Sequence, residues 1–142
     1  MTRILVIQGA GLDMRGKVQQ EIHGRDTLAD YDKQIGESAR QLGITVDIFQ
    51  SNLEGEIVNR LYRGLDEGIK GAILNPGDFT VGYRALLAAI GRVTYPVIEV
   101  HVSNPMARGI VSDVGKVARA SVIGFGVDGY RLALTGLHEM LA

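Results

Sequence analysis

The chain has no cysteine, which excludes disulfides and thiolate metal sites. It has no tryptophan, and its three Phe and five Tyr are few beside nineteen glycines. That balance fits many tight strand-to-helix turns better than a β-sandwich. Neither charge dominates: fifteen Lys and Arg are interspersed with sixteen Asp and Glu. No basic stripe marks the chain for nucleic acid or an anionic membrane surface. No apolar run is long enough to span a bilayer. Met1-Thr2-Arg3-Ile4 leads straight into a strand-like run, without the apolar core of a signal peptide. A soluble cytoplasmic protein is the expectation. Of the three histidines only His101 falls clearly at a strand end, so a metal site is not expected.

What is present is enough for one domain, 1–142, with an ordinary apolar fraction of 46%. Ile4-Leu5-Val6-Ile7 is a continuous apolar run, the mark of a strand buried on both faces, and Gln8-Gly9-Ala10-Gly11 reads as its closing turn. Residues 12–25 show no clear period and read as a long surface loop, a kind that is usually either a functional lid or disordered. Thr27 and Asp30 form a capping-box-like start to a helix with Leu28, Tyr31, Ile35 and Leu42 inward and Gly43 as its C-cap. Ile44 to Phe49 alternates as a strand near a sheet edge, where Ile44 and Ile48 would be available for burial between subunits. Gln50-Ser51-Asn52 caps a helix whose inward face is Ile57, Leu61 and Leu65. Ala72-Ile73-Leu74 is the third strand, followed by a helix over 80–91 with Leu86, Leu87 and Ile90 inward. Val97 to Val102 is the fourth strand, 105–119 a loop, and Ala120 to Ile123 the fifth strand. A last helix carries Leu134, Leu137 and Leu141 on one face. Strand and helix alternate throughout, which implies an α/β three-layer sandwich with a parallel sheet. Five strands point to the flavodoxin-like order 2-1-3-4-5.

Pro96 to Asn104 draws most attention. Glu99 and His101 interrupt an apolar run two residues apart, so both side chains point to one face of a strand. A carboxylate beside an imidazole can orient the ring and favour its proton-donating form; the plainer reading is a satisfied structural pair. Ligands of such sheets bind outside the carboxyl ends of the strands. Gln8–Asp13, Gln50–Asn52, Asn75–Gly77, His101–Asn104 and Gly124–Gly126 should gather there. With backbone N–H groups at Val102 and Ser103, the set suits a small, oxygen-rich anion. A phosphoacceptor receiver needs an acidic pair after strand one and an aspartate after strand three; Gln8-Gly9 and Asn75 exclude it. Gly9, Gly11 and Gly16 miss the dinucleotide spacing, and Phe79 or Phe125 gives only a weak flavin signal.

At these strand ends the chain resembles the type II 3-dehydroquinate dehydratases, over almost its whole length. The resemblance is carried by Gln50-Ser51-Asn52-Leu53-Glu54-Gly55-Glu56, Asn75-Pro76-Gly77, Ile98 to Asn104, Ala107-Arg108 and Gly124 to Tyr130. It implies a flavodoxin-like fold, no metal or other cofactor, a trimer-based dodecamer, and a small-molecule carboxylate or hydroxy acid as partner. It further implies loss of water from 3-dehydroquinate. His101 would protonate the leaving hydroxyl and Asn75 would position it, while Glu99 matches the family's acid segment. Val102 and Ser103 would hold the substrate carboxylate, with Arg108 among the matching binding residues.

The match fails on the loop after strand one. An ungapped comparison puts Gly11 where the family has an asparagine on the enolate side, Val18 where it has an arginine, and His23 where it has the tyrosine base. Val81 and Leu53 stand where histidines are usual, and Ser112 where a substrate-binding arginine is usual. A phenol has a pKa of about 10 and depends on a nearby cation to act as a base at neutral pH, whereas imidazole titrates near ~6.5. Three readings follow. In the first, the chain binds a small cyclic hydroxy acid or carboxylate, with ordinary dehydratase activity lost or very weak. In the second, it is an active 3-dehydroquinate dehydratase using His23, which needs no cation, or another altered base; Arg15 or Arg25 could swing in for the missing cation, though neither is at the matching position. In the third, it is a non-enzymatic subunit with a vestigial pocket. The expectation from sequence is the first.

Overall fold

The alternation of Ile4 and Val6 with Leu5 and Ile7 sends equal apolar bulk to two sides of one strand, and all four are essentially without solvent contact. That strand, β1 (Arg3–Ala10), pairs in parallel with β2 (Thr45–Gln50) and β3 (Gly71–Gly77). β4 (Val97–His101) and β5 (Ala120–Ile123) extend the sheet to the order β2-β1-β3-β4-β5, all parallel. The computed structural model describes residues 2–142. Met1, the first residue of the expected domain 1–142 and of the expected leaderless start, lies outside the described residues.

The helices are α1 (Gln20–His23), α2 (Leu28–Leu42), α3 (Glu54–Asp66), α4 (Arg84–Arg92), α5 (Val114–Val117) and α6 (Asp128–Met140). α2 and α6 cover one face, where Tyr31, Ile35, Leu134 and Leu137 pack on Ile4, Val6 and Ile73. α3 and α4 cover the other, with Ile57, Leu61, Leu86 and Ile90 on Leu5, Ile7 and Leu74. Thr27 and Asp30 do form a reciprocal cap: the Thr27 N–H donates to Asp30 Oδ2 at 2.9 Å and the Asp30 N–H to Thr27 Oγ1 at 3.2 Å. Gly43 ends α2 in the left-handed conformation at φ 71°. Before α3, the Ser51 hydroxyl accepts from the Leu53 N–H at 2.9 Å and donates to Glu56 Oε1.

Several expectations shift. β1 and β3 run on through the residues read as turns, because Gln8 pairs with Asn75 and Ala10 with Gly77 in the sheet register. The 12–25 segment is not wholly irregular: Leu12–Met14 is a 3-10 turn, and Leu12 is fully buried beneath it. Leu65 is 43% exposed, since Gly64 completes the buried stripe of Ile57, Arg60 and Leu61, and Leu65 lies well round the helix from it. Leu141 lies past the end of α6 and is 37% exposed. The helix expected over 80–91 starts later, at Arg84, and Leu87 is only half-buried. The β4–β5 connection holds no full helix, only a 3-10 turn at Pro105–Arg108 and the single turn of α5. Ile44 is buried at 6% exposure inside the chain's own core, so it offers no surface to a second subunit. No helix among the described residues is long and apolar enough to cross a membrane.

One close approach fixes the mouth of the sheet. A Cβ on Gly9 would stand 2.1 Å from the Pro76 carbonyl oxygen, a backbone atom that cannot turn aside. β1 and the Asn75-Pro76-Gly77 end of β3 touch there without a side chain between them. Gly9→Ala should cost about 3 kcal/mol, lowering the melting temperature by roughly 10 °C. A calorimetric scan that showed no change would place the two strand ends further apart than this.

Candidate functional site

At the carboxyl ends of β3 and β4 lies a cleft of about 440 Å³. Asn75, Gly77, His101, Val102 and Ser103 come to it from the sheet, Arg15, Gln19, Ile22 and His23 from the segment after β1, and Arg108 and Ile110 from the segment after β4. A volume of this size lies in the range of small-molecule pockets. Asp78, Thr80, Val81 and Pro105 complete the wall. Of the strand-end residues expected to gather, Gln8–Asp13, Gln50–Asn52 and Gly124–Gly126 do not line the cleft. Asn52 is engaged with the Gly11 N–H at 2.9 Å, and Phe125 is 63% exposed.

The Glu99–His101 pair is formed, with Nε2 of the ring 2.8 Å from Oε2 of the carboxylate. His101 lines the cleft; Glu99 is wholly buried behind it and acts through the ring. Ser121 donates to Glu99 Oε1 at 2.7 Å, Ser112 donates to Oε2, and the Gly115 N–H supports Ser112 at 3.1 Å. Burial pushes the Glu99 carboxyl up, but the hydrogen bonds from His101, Ser112 and Ser121 and the charge of the ring outweigh it and hold the group below the ordinary carboxylate value. Glu99 is therefore a fixed anion that orients His101.

Asn75 is anchored from below. Its Nδ2 donates to the Tyr130 hydroxyl at 2.8 Å, and that hydroxyl donates to Gln8 Oε1 at 2.6 Å. Tyr130 is fully buried, which drives its phenol far up and leaves it a neutral donor at physiological pH. The Asn75 carbonyl also accepts from the Gly77 N–H at 3.2 Å. These contacts set the plane of the amide before any ligand arrives.

His23, read from sequence as a loop residue, sits at the end of the single turn α1 and faces the same cleft as His101. Burial, then the charges of Arg15 and Arg108, push its imidazole down to about 4, against the opposing pull of Asp78 and Glu21. At neutral pH it is uncharged and able to accept a proton. Arg108 reaches the Ser103 hydroxyl at 3.2 Å, pairing a cation with a donor beside Val102.

Of the two cations offered from sequence, Arg15 lines the wall and Arg25 does not; sequence reasoning missed Asp78 and Ile22 as wall residues, and Ser112 and Ser121 as the partners of Glu99. Only Ser112 left a signal, as a departure from the family pattern. Gly11 has φ 85°, and a side chain there would meet Asp78 Oδ2 at 2.7 Å. Val81 lines the cleft at 49% exposure, while Val18 at 46% and Leu53 at 62% lie outside it. Among the described residues no group of three or more His, Asp or Glu side chains is arranged to hold a metal.

A flavodoxin-like sheet with an imidazole–carboxylate pair and clustered donors at its strand ends defines an α/β protein with a polar strand-end cleft. The chain belongs to the class II dehydroquinase family, whose model matches residues 2–138. It is 42% identical over 141 residues to the 3-dehydroquinate dehydratase of Rhodopseudomonas palustris strain TIE-1, covering 97% of this chain and 93% of the relative. The structure of a type II dehydroquinase from Butyrivibrio crossotus superposes with a TM-score of 0.91 at 31% identity, over 96% of this chain and 97% of that one. A 3-dehydroquinate dehydratase-like protein from Bifidobacterium longum superposes at 0.77 with 30% identity, over 99% and 98%.

Proposed function

We propose that the protein is a dehydroquinase-type hydro-lyase that removes water from a small cyclic hydroxy-keto acid, 3-dehydroquinate first among them. The observation that carries this reading is that His23 and His101 line one cleft, so a base and an acid face the same ligand. The names of the relatives support the same reaction. His23 takes the proton beside the ketone, the electron pair moves to the ketone oxygen, and the enolate then expels the hydroxyl as His101 gives it a proton. Glu99 fixes the ring of His101 through the 2.8 Å hydrogen bond. Ser103 and Arg108 hold the carboxylate, and Asn75 positions the leaving group.

This departs from the loss of activity expected from sequence, and the reason is geometric: the replaced loop still delivers an imidazole to the cleft. A base of such low pKa pulls weakly on a carbon-bound proton, so turnover should fall below the ~10 s⁻¹ of an ordinary enzyme. The binding-only reading keeps one observation in its favour, the apolar Val81 in the wall. Following the absorbance of the conjugated enone product with purified protein decides between them. Saturable turnover supports the lyase. A background rate together with thermal stabilisation by dehydroquinate supports binding alone, and neither signal points to a vestigial subunit.

We also propose a cytoplasmic homo-oligomer, trimers gathered into a dodecamer. The exposed β5, whose Ala120 and Ser121 lie open to solvent, supports assembly better than the buried Ile44 does. Light scattering should show a mass well above the 15.3 kDa chain. A monomer at micromolar concentration would refute it.

A further inference from the structure

The hydrogen bonds behind Asn75 have a direction. Gln8 and Asn75 are neighbours across β1 and β3, and the Tyr130 hydroxyl of α6 stands between their two amides. All three side chains are buried. A hydroxyl has one proton to give, so only two arrangements keep both bonds. In the first, Asn75 Nδ2 donates to Tyr130, Tyr130 donates to Gln8 Oε1, and Gln8 Nε2 points onward. In the second, Gln8 Nε2 donates to Tyr130 and Tyr130 donates to Asn75 Oδ1. The structure holds the first, at 2.8 and 2.6 Å.

A group at each end of the chain favours that choice. At the Asn75 end, the Gly77 N–H finds Oδ1 at 3.2 Å, and the second arrangement would set Nδ2 against it. At the Gln8 end stands Asp32, on α2. Burial raises the Asp32 carboxyl, and the Gln8 amide beside it opposes the rise. Gln8 Nε2 and Asp32 Oδ1 are both shut off from solvent, and neither makes a hydrogen bond of normal geometry among the described residues. An amide N–H turned to a carboxylate is attracted across that gap, whereas a carbonyl oxygen turned to it would be repelled. With the chain in this direction Asn75 spends one N–H on Tyr130 and one lone pair on Gly77, leaving one of each for a ligand. Turned over, the amide would present each where the other belongs.

We propose that Asp32, which lines no part of the cleft, is a positioning residue: through Gln8 and Tyr130 it fixes which way the Asn75 amide faces the ligand. This rests on the cleft being the ligand site argued above. Tyr130 carries the preference across the core, because its single proton cannot serve both amides.

Nuclear magnetic resonance of the Asn75 side-chain amide tests this without requiring turnover. In the unaltered protein it should give one pair of Nδ2 proton signals, the proton bound to Tyr130 exchanging slowly with water. Asp32→Leu should speed that exchange at least about fivefold or add a second pair of signals, and Asp32→Asn, whose carbonyl can still accept from Gln8, should restore most of the pattern. With dehydroquinate, kcat should fall about tenfold in Asp32→Leu while KM moves less than about twofold. Circular dichroism melts verify folding, and Asp32→Ala replaces a leucine variant that does not fold. Asn75 signals unchanged in the folded variant overturn the proposal, even if its melting temperature drops, since Asp32 is then a structural residue only. Equal disturbance in Asp32→Leu and Asp32→Asn also overturns it. Absence of turnover in the unaltered protein, with the signals responding as expected, sinks only the lyase reading.

Discussion

His101→Ala is expected to lower the rate of elimination by about 10²–10⁴-fold, the usual contribution of a positioned acid, and to abolish thermal stabilisation by bound acids. The fold should survive, because the ring borders the cleft and its loss opens space to solvent rather than a sealed cavity. Glu99→Gln is the informative companion. It keeps the size but trades an anion that accepts from His101, Ser112 and Ser121 for an amide that cannot accept at every position. Rate should fall with it, and stability at neutral pH should drop by about 1–3 kcal/mol. The sign with pH follows from the direction of the shift. Glu99 is held below the ordinary carboxylate value in the fold, so its stabilisation is present above that range and lost as pH falls through it. The deficit of Glu99→Gln should therefore shrink in acid. If His101→Ala unfolds outright, the ring is structural and the pair has no catalytic meaning.

His23→Ala is the second large effect. Removing the base should cost about 10²–10⁴-fold in rate with little change in melting temperature, since His23 sits half-buried on a one-turn helix. Replacing it with tyrosine should recover part of the rate at most: a phenol titrates near about 10, and Val18, at the position expected for its cation, is outside the cleft, so that only the charges of Arg15 and Arg108 act on this position. Even His23→Tyr with Val18→Arg should recover only part, because Gly11 has no amide and cannot accept one without meeting Asp78. A His23→Ala enzyme as fast as the unaltered protein would move the base elsewhere.

How far the sequence could be read depends on what each residue type signals locally. The strand cores and their order were legible because Ile4-Leu5-Val6-Ile7 and Val97 to Val102 are short apolar runs separated by helical spacings. The Thr27–Asp30 cap was legible because its bonds span three residues. Leu65 and Leu141 misled because a hydrophobic residue at roughly the right spacing says nothing about where a helix ends or where a glycine completes its buried face. The Glu99–His101 pair could be read from a spacing of two. Its partners Ser112 and Ser121 could not, since they arrive from a loop and a neighbouring strand. The Gln8–Tyr130–Asn75 chain joins three elements far apart in sequence, and no local pattern announces it. The 12–25 segment was least legible from its own pattern: the family match singled out His23 and left Arg15 and Arg25 as alternative cations, but nothing in an aperiodic, polar stretch shows which of them folds back into the wall.

The pH dependence of dehydroquinate turnover tests the central claim most directly, because the profile of kcat/KM reports the free enzyme and that of kcat the bound complex. With His23 as base, its uncharged form is the active one. The free-enzyme profile should fall on the acid side near the imidazole's lowered value of about 4, set by burial and by Arg15 and Arg108 against Asp78 and Glu21. The kcat profile should fall at a higher pH, since a bound carboxylate offsets the two arginine charges, and neither limb should survive in His23→Ala. A rate that rises only towards the phenol range, about 10, or an acid limb unchanged in His23→Ala, would contradict the account.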